Sequence, residues 1–202
     1  MKKILITQRQ DNLGKFKETR DNVDIRLIKF VEKIGLLPIL ISNNIKNVDL
    51  FLRKLNPNGI VLSGGGDINK KDNRYILEKK LIKYSINKNI PLVGICRGAQ
   101  QINSFFGGKQ KKIKNHVRKN HKINFKNNIF KDIQRNSFHD YGFNENLISK
   151  NLTILGMSND NIVEYFVHKK NKIYGIMWHP ERYKIPKKFD KKIFKKIFTW
   201  YL

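Results

Sequence analysis

The chain has 202 residues, with 42 lysines and arginines against 16 acids and a formal net charge of +26. Its single cysteine excludes an intrachain disulfide and suits a reducing compartment, so a cytoplasmic protein is expected. No apolar run approaches a membrane span, and Ile4 to Ile6 is far too short for a signal-peptide core, so no membrane partner is expected. The length predicts one domain over residues 1–202, large enough to bury roughly 70% of its unfolded surface. The charge raises nucleic acid as a partner. Lysine dominates it, however, and is spread along the whole chain beside abundant asparagine and isoleucine. No zinc-finger spacing, RNP-like aromatic motif or clear helix-turn-helix accompanies it. We read solvated lysine faces and no specific nucleic-acid partner. Attraction of an anionic substrate is a further use of the field.

The first half alternates strand and helix signals. KILIT (Lys3 to Thr7) reads as a strand, and Asp24 to Ile34 has helical apolar spacing closed by Gly35. Leu37 to Ser42 is a second strand, Val48 to Leu55 a short helix, and Gly59 to Ser63 a third strand running into Gly64-Gly65-Gly66-Asp67. Arg74 to Ile86 is a helix, Ile90 to Ile95 a fourth strand, and Gln100 to Phe106 lies on the helix that follows. This alternation predicts a parallel sheet with helices on both faces. The second half changes character. Lys109 to Asn128 is lysine-rich with short β-like pieces. Leu152 to Met157, Ile162 to Val167 and Ile173 to Trp178 read as a strand meander or sheet extension. From about Lys187 a helix places Phe189, Ile193, Ile197 and Trp200 on one face; packing on the sheet is favoured over a membrane surface.

Three runs carry the chemistry. In PLVGICRGAQ, Cys96 stands between a strand and a helix, on a turn that exposes a nucleophile at a helix N-terminus. A lone cysteine is more often buried filler, so the neighbouring runs decide its reading. In IMWHPER, a strand delivers His179, with Glu181 two residues on. Strand carboxyl ends of an open parallel sheet share one crevice, so Cys96 and His179 meet there if their strands are parallel. The imidazole would activate the thiol and Glu181 would orient the imidazole. An oxyanion hole is expected from the backbone N–H of Arg97 and the glycine run, at Gly65. No metal and no cofactor are expected.

These three runs, in this order, resemble the class I glutamine amidotransferase-like superfamily, and within it the gamma-glutamyl hydrolase branch. The resemblance covers essentially the whole chain. It implies a flavodoxin-like three-layer α/β sandwich with a mostly parallel central sheet. It also implies a Cys96-His179-Glu181 triad that cleaves a γ-glutamyl amide through a thioester and releases glutamate. Gln100, Gly64 and Gly66, together with Asn136, Ser137, Phe138 and His139 of the NSFH element, would bind the small-molecule γ-glutamyl substrate. Gly107-Gly108 stands where the family has its glycine pair. The chain departs from the branch at Ser63, Met177 and Asp140-Tyr141. These departures and the compact length resemble hydrolases whose γ-glutamyl substrate is linked to a cytidine nucleotide, used in making surface-polysaccharide phosphoramidate. The alternatives are a glutaminase subunit that feeds ammonia to a synthase partner, or a hydrolase of another γ-glutamyl amine. More distant is a non-catalytic nucleic-acid-binding protein. Lys114, His116 and His121 are expected to be solvated rather than bound to phosphate.

Overall fold

The computed structural model describes residues 1–126 and 130–199. In chain order the elements are β1 (Lys3–Thr7), β2 (Arg9–Leu13), β3 (Glu18–Asn22), α1 (Ile25–Lys33), β4 (Leu37–Ile41), α2 (Val48–Leu55), β5 (Gly59–Leu62), α3 (Asn73–Lys88), β6 (Leu92–Ile95) and α4 (Arg97–Phe105). There follow β7 (Lys111–Lys112), β8 (Val117–Phe125), β9 (Ile133–Phe138), β10 (Tyr141–Gly142), β11 (Leu152–Ser158), β12 (Val163–His168), β13 (Ile173–Ile176) and α5 (Lys188–Thr199). Nine strands form one sheet in the order β4-β1-β5-β6-β13-β12-β11-β8-β9. The first five run parallel, and the remaining four are joined antiparallel.

The sheet is covered on both faces, which is why its parallel strands are nearly continuous apolar runs. Alternate residues serve opposite cores. Ile4, Ile6, Val61, Val93 and Ile95 pack with Leu27, Phe30 and Val31 of α1 and with Ile193, Phe194, Ile197 and Phe198 of α5. Leu5, Ile60, Leu62 and Leu92 pack with α2, α3 and α4 through Val48, Leu52, Leu77, Leu81, Ala99 and Ile102. The architecture is a flavodoxin-like α/β sandwich. No helix among the described residues is long and apolar enough to cross a membrane.

Helix ends follow local chemistry. Asp24, Asn47 and Asp72 cap α1, α2 and α3 by accepting backbone N–H bonds from Arg26, Leu50 and Tyr75. The expected meander appears as β11-β12-β13, with β13 also pairing parallel to β6. Helix α5 presents Ile193 and Ile197 to the core as expected, whereas Trp200 lies outside the described residues. Two features depart from the sequence expectation. Residues 9–22 form a polar hairpin, β2-β3. Its Asp21 accepts bonds from Ser42 Oγ and from the backbone and side chain of Asn43. The lysine-rich stretch contains a nine-residue strand, β8, rather than short pieces. Asn127 and Asn128 of that stretch lie outside the described residues.

Candidate active site

The carboxyl end of β6 meets the amino end of α4 at Cys96. There the backbone takes φ 52° and ψ −107°, a conformation that costs a non-glycine residue about 1–3 kcal/mol. Two glycines let α4 lie close enough to hold this turn. A Cβ on Gly98 would stand 2.2 Å from the Leu62 carbonyl oxygen, and one on Gly94 would stand 2.5 Å from the Gly98 carbonyl group. The Cys96 N–H donates to Ile176 O at 2.7 Å, which ties the turn to β13. Because β13 and β6 are parallel neighbours, the residues just beyond both ends fall together.

His179 is one of those residues. Its backbone is clamped by Asn136, whose Nδ2 donates to His179 O and whose Oδ1 accepts from His179 N–H, both at 2.9 Å. Pro180–Arg182 then forms a 3₁₀ turn that brings Glu181 back to the ring. His179 Nδ1 donates to Glu181 Oε1 at 2.6 Å, and the ring also hydrogen-bonds Cys96. Gly64 completes the contact, since a Cβ there would lie 2.7 Å from His179 Cε1 and 3.6 Å from Cys96 Cβ. Gly65 and Gly66 follow at φ +79° and +83°, backbone that glycine adopts freely.

A buried ionic network binds the glycine loop to the cysteine turn. Glu78, with no exposure, accepts from Thr7 Oγ1, from Arg74 Nε and from Arg97 Nη1. Arg74 donates onward to the carbonyls of Ser63 and Gly65. The Arg97 side chain therefore points to Glu78, while its backbone N–H donates to the Cys96 sulfur.

The electrostatics favour an ion pair. Burial pushes the Cys96 thiol up, but the His179 charge and hydrogen bond, with His139 and the Arg97 N–H, bring it below its ordinary value. Burial drives His179 down, yet the Glu181 carboxylate and Cys96 push it up to about 10. Such a pair can attack an electrophilic carbonyl carbon and return a proton to the departing group.

Two cavities open beside it. One, of about 290 Å³, is lined by Cys96, Arg97, Gln100, Phe138, His139 and Tyr141 among others. The second, of about 310 Å³, is lined by Arg9, Asn22, Asp24, Gly64, Glu181 and Arg182 among others; both share Gly65, His179 and Arg182. Gln100 Nε2 donates to Tyr141 O at 2.9 Å. Phe138 meets the His179 ring edge-to-face at 5.8 Å, and the Arg182 guanidinium lies 4.1 Å from the Phe138 centroid. Gly66 lines the first cavity. Asn136 and Ser137 line neither one. Asn136 holds the His179 backbone, and Ser137 Oγ donates to His116 O at 2.6 Å.

No sequence motif marked Arg9, Asn22 or Asp24, which sit on or beside the polar hairpin and line the second cavity. Arg182 was legible as the last residue of IMWHPER. The expectation of solvated side chains holds for Lys114 but fails for His116, which is 2% exposed, and for His121, which is half-buried at the edge of the same cluster. Both turn inward to Glu164, a residue that no motif marked.

The class-I glutamine amidotransferase family model matches residues 18–200. The chain is 36% identical over 129 residues to gamma-glutamyl-CDP-amidate hydrolase of Campylobacter jejuni, covering 61% of this chain and 62% of that protein. The match therefore spans less than two thirds of the hydrolase's length. It is 32% identical over 161 residues to a glutamine-hydrolyzing GMP synthase subunit of Methanococcus vannielii, covering 77% of this chain and 80% of that one. A solved Thermoplasma acidophilum structure, described as a candidate GMP synthase subunit of the same kind, superposes with a TM-score of 0.73 at 25% identity, over 98% of this chain and 92% of that one. The protein belongs to the class-I glutamine amidotransferase family.

Proposed function

We propose that the chain is a free-standing hydrolase of γ-glutamyl amides, with Cys96 as nucleophile, His179 as general acid and base, and Glu181 as its orienting carboxylate. The observation that carries this reading is the hydrogen-bonded Cys96–His179–Glu181 set between two cavities, with Cys96 on one, Glu181 on the other and His179 on both. The thiolate attacks the γ-carbonyl carbon, and the backbone N–H groups of Arg97 and Gly65 receive the oxyanion. Each such donor is worth about 2.7–4 kcal/mol. His179 gives its proton to the leaving nitrogen as the C–N bond breaks, and a thioester remains. A water molecule then loses a proton to His179 and attacks the thioester, releasing glutamate and restoring the ion pair. Gln100, Phe138, His139 and Gly66 are assigned to the glutamyl side, Gly64 to close contact with His179 on the side of the second cavity, and Asn136 and Ser137 to holding His179 and His116 in place. A thiol nucleophile also suits the reducing cytoplasm expected from the sequence.

For the leaving group we propose a nucleotide-linked amide, of the kind named for the Campylobacter relative. Arg9 and Arg182 on the wall of the second cavity support it, because guanidinium groups pair with phosphate oxygens. The test is glutamate release from a panel holding γ-glutamyl-CDP-amidate, glutamine and γ-glutamyl-aminobutyrate. Wild-type protein should favour the first, Cys96→Ala should release no glutamate from any, and equal rates across the panel would contradict the nucleotide assignment. The GMP synthase relatives favour a second reading, a glutaminase that works with a synthase chain. A sharp rise in glutamine hydrolysis on adding a synthase subunit would select it.

A further inference from the structure

We infer that His116, His121 and Glu164 form a binding site for one divalent transition-metal ion of the zinc class, with its fourth position facing His139. The site is independent of the hydrolase reading, and it departs from the sequence expectation of no metal. His116 immediately precedes β8, His121 lies on β8, His139 follows β9 and Glu164 lies on β12. The antiparallel half of the sheet thus gathers three of the chain's five histidines and a carboxylate at one point, which borders the Cys96–His179 pair through His139.

The geometry is that of ligands around a centre. His116 Nδ1, His121 Nε2 and His139 Nε2 stand 3.5, 3.2 and 3.4 Å from one atom, Glu164 Oε1. Tetrahedral ligands on bonds of about 2.0–2.1 Å lie roughly 3.3 Å apart. The ligating atoms of His116, His121 and Glu164 all fall within 4.8 Å of one another. Glu164, a residue with no exposure, faces these three rings, but at 3.2–3.5 Å none of them makes a well-directed hydrogen bond to either of its oxygens. A buried carboxylate needs positive charge beside it, supplied either by charged forms of these rings or by one cation that the neutral rings hold against it.

The far sides of two rings point the same way. His116 Nε2 lies 2.9 Å from Asp160 Oδ2, and His139 Nδ1 lies 3.0 Å from Tyr141 O. Carboxylate and carbonyl oxygens only accept, so those ring nitrogens carry the protons. In the neutral rings the lone pairs are then left on His116 Nδ1 and His139 Nε2, aimed at the carboxylate. A metal-bound imidazole commonly gives its other N–H to a carboxylate or a carbonyl in this way. Nitrogen-rich sites with one carboxylate suit zinc and its neighbours. The ion would tie β8 to β12 and fix His139 at the wall of the glutamyl cavity. It would take no part in bond cleavage.

The test uses the untagged full chain. Metal content is measured by mass spectrometry after purification, then Co²⁺ is added to chelator-treated protein. Expected are about one bound equivalent, visible Co²⁺ d–d absorption, and a Tm raised by Zn²⁺ and lowered by chelator. His121→Ala, at the partly exposed edge of the cluster, should lose the equivalent. Cys96→Ala should keep it, and its loss there would move the ion to the thiol and overturn the site. Wild-type protein with far less than one equivalent, no Co²⁺ absorption and an unmoved Tm would also overturn it, leaving a cluster of charged imidazolium groups.

Discussion

Strands β4, β1, β5, β6 and β13 run parallel and deliver Cys96, the Gly64–Gly66 loop and His179 at their carboxyl ends. Strands β12, β11, β8 and β9 run antiparallel, and their side chains hold histidines: Asn136 the His179 backbone, Ser137 the His116 carbonyl, and Glu164 the cluster of His116, His121 and His139. In the parallel half, position comes from strand ends, a strained turn, glycines that admit close contact, and one buried ionic network centred on Glu78. In the antiparallel half, position comes from buried polar side chains. Under the proposed function, the first half sets which atoms react, and the second holds His179 and walls the first cavity with Phe138 and His139.

That contrast can be broken by mutation. The largest expected effect on stability belongs to the parallel half. Glu78→Gln removes the charge that neutralises buried Arg74 and Arg97. Breaking a buried ion pair in this way costs about 3–5 kcal/mol. Denaturant unfolding measures it, and a loss below about 1 kcal/mol would show that the network is not what joins the glycine loop to the cysteine turn. Next comes Gly98→Ala, whose methyl group would meet the Leu62 carbonyl. Overpacking of this kind costs about 1–3 kcal/mol. Because α4 must move, glutamate release should fall more than stability does.

The antiparallel half should respond more mildly. Asn136→Ala removes both bonds to the His179 backbone, and each such bond is worth about 1 kcal/mol. We expect kcat to fall roughly tenfold, equivalent to about 1.4 kcal/mol, with KM little changed. A rise in KM at constant kcat would instead make Asn136 a substrate contact.

The smallest effect is a displacement in pH. Cys96 is held below its ordinary value, so its thiolate is lost as pH falls through the lowered value. His179 is held up to about 10, so its imidazolium is lost as pH rises through that value. The rate of glutamate release should therefore fall on both sides. Glu181→Gln removes a negative charge that holds the imidazolium, so the alkaline limb should move to lower pH. An unmoved limb would separate Glu181 from the titration of His179.

The same contrast explains what the sequence made legible. Residues such as Ile4, Leu5, Ile6 and Leu92–Ile95 are buried on both sides of the sheet, so they must be apolar, and their ends must turn where glycine allows. Strands β1, β5, β6 and β13 and the cysteine turn could be read for that reason, whereas β4, at the sheet edge with Leu37 and Leu40 exposed, was legible from its apolar run alone. Strand β8 is exposed along most of its length and carries lysine and asparagine, so its chemistry is that of a loop until β9 and β11 pair with it. The β2-β3 hairpin is polar on both faces and rests on backbone pairing and Asp21. Glu164 looks like any surface acid, and only the register of β12 brings it into the midst of three imidazoles.

Under the proposed function, Cys96 becomes covalently acylated by the γ-glutamyl group. Acid quenching during turnover, followed by peptide mass mapping, tests it directly. The predicted result is a γ-glutamyl adduct on the peptide bearing Cys96, absent in Cys96→Ala, which should also release no glutamate. Glutamate release by Cys96→Ala near the wild-type rate, with no adduct in either protein, would contradict it.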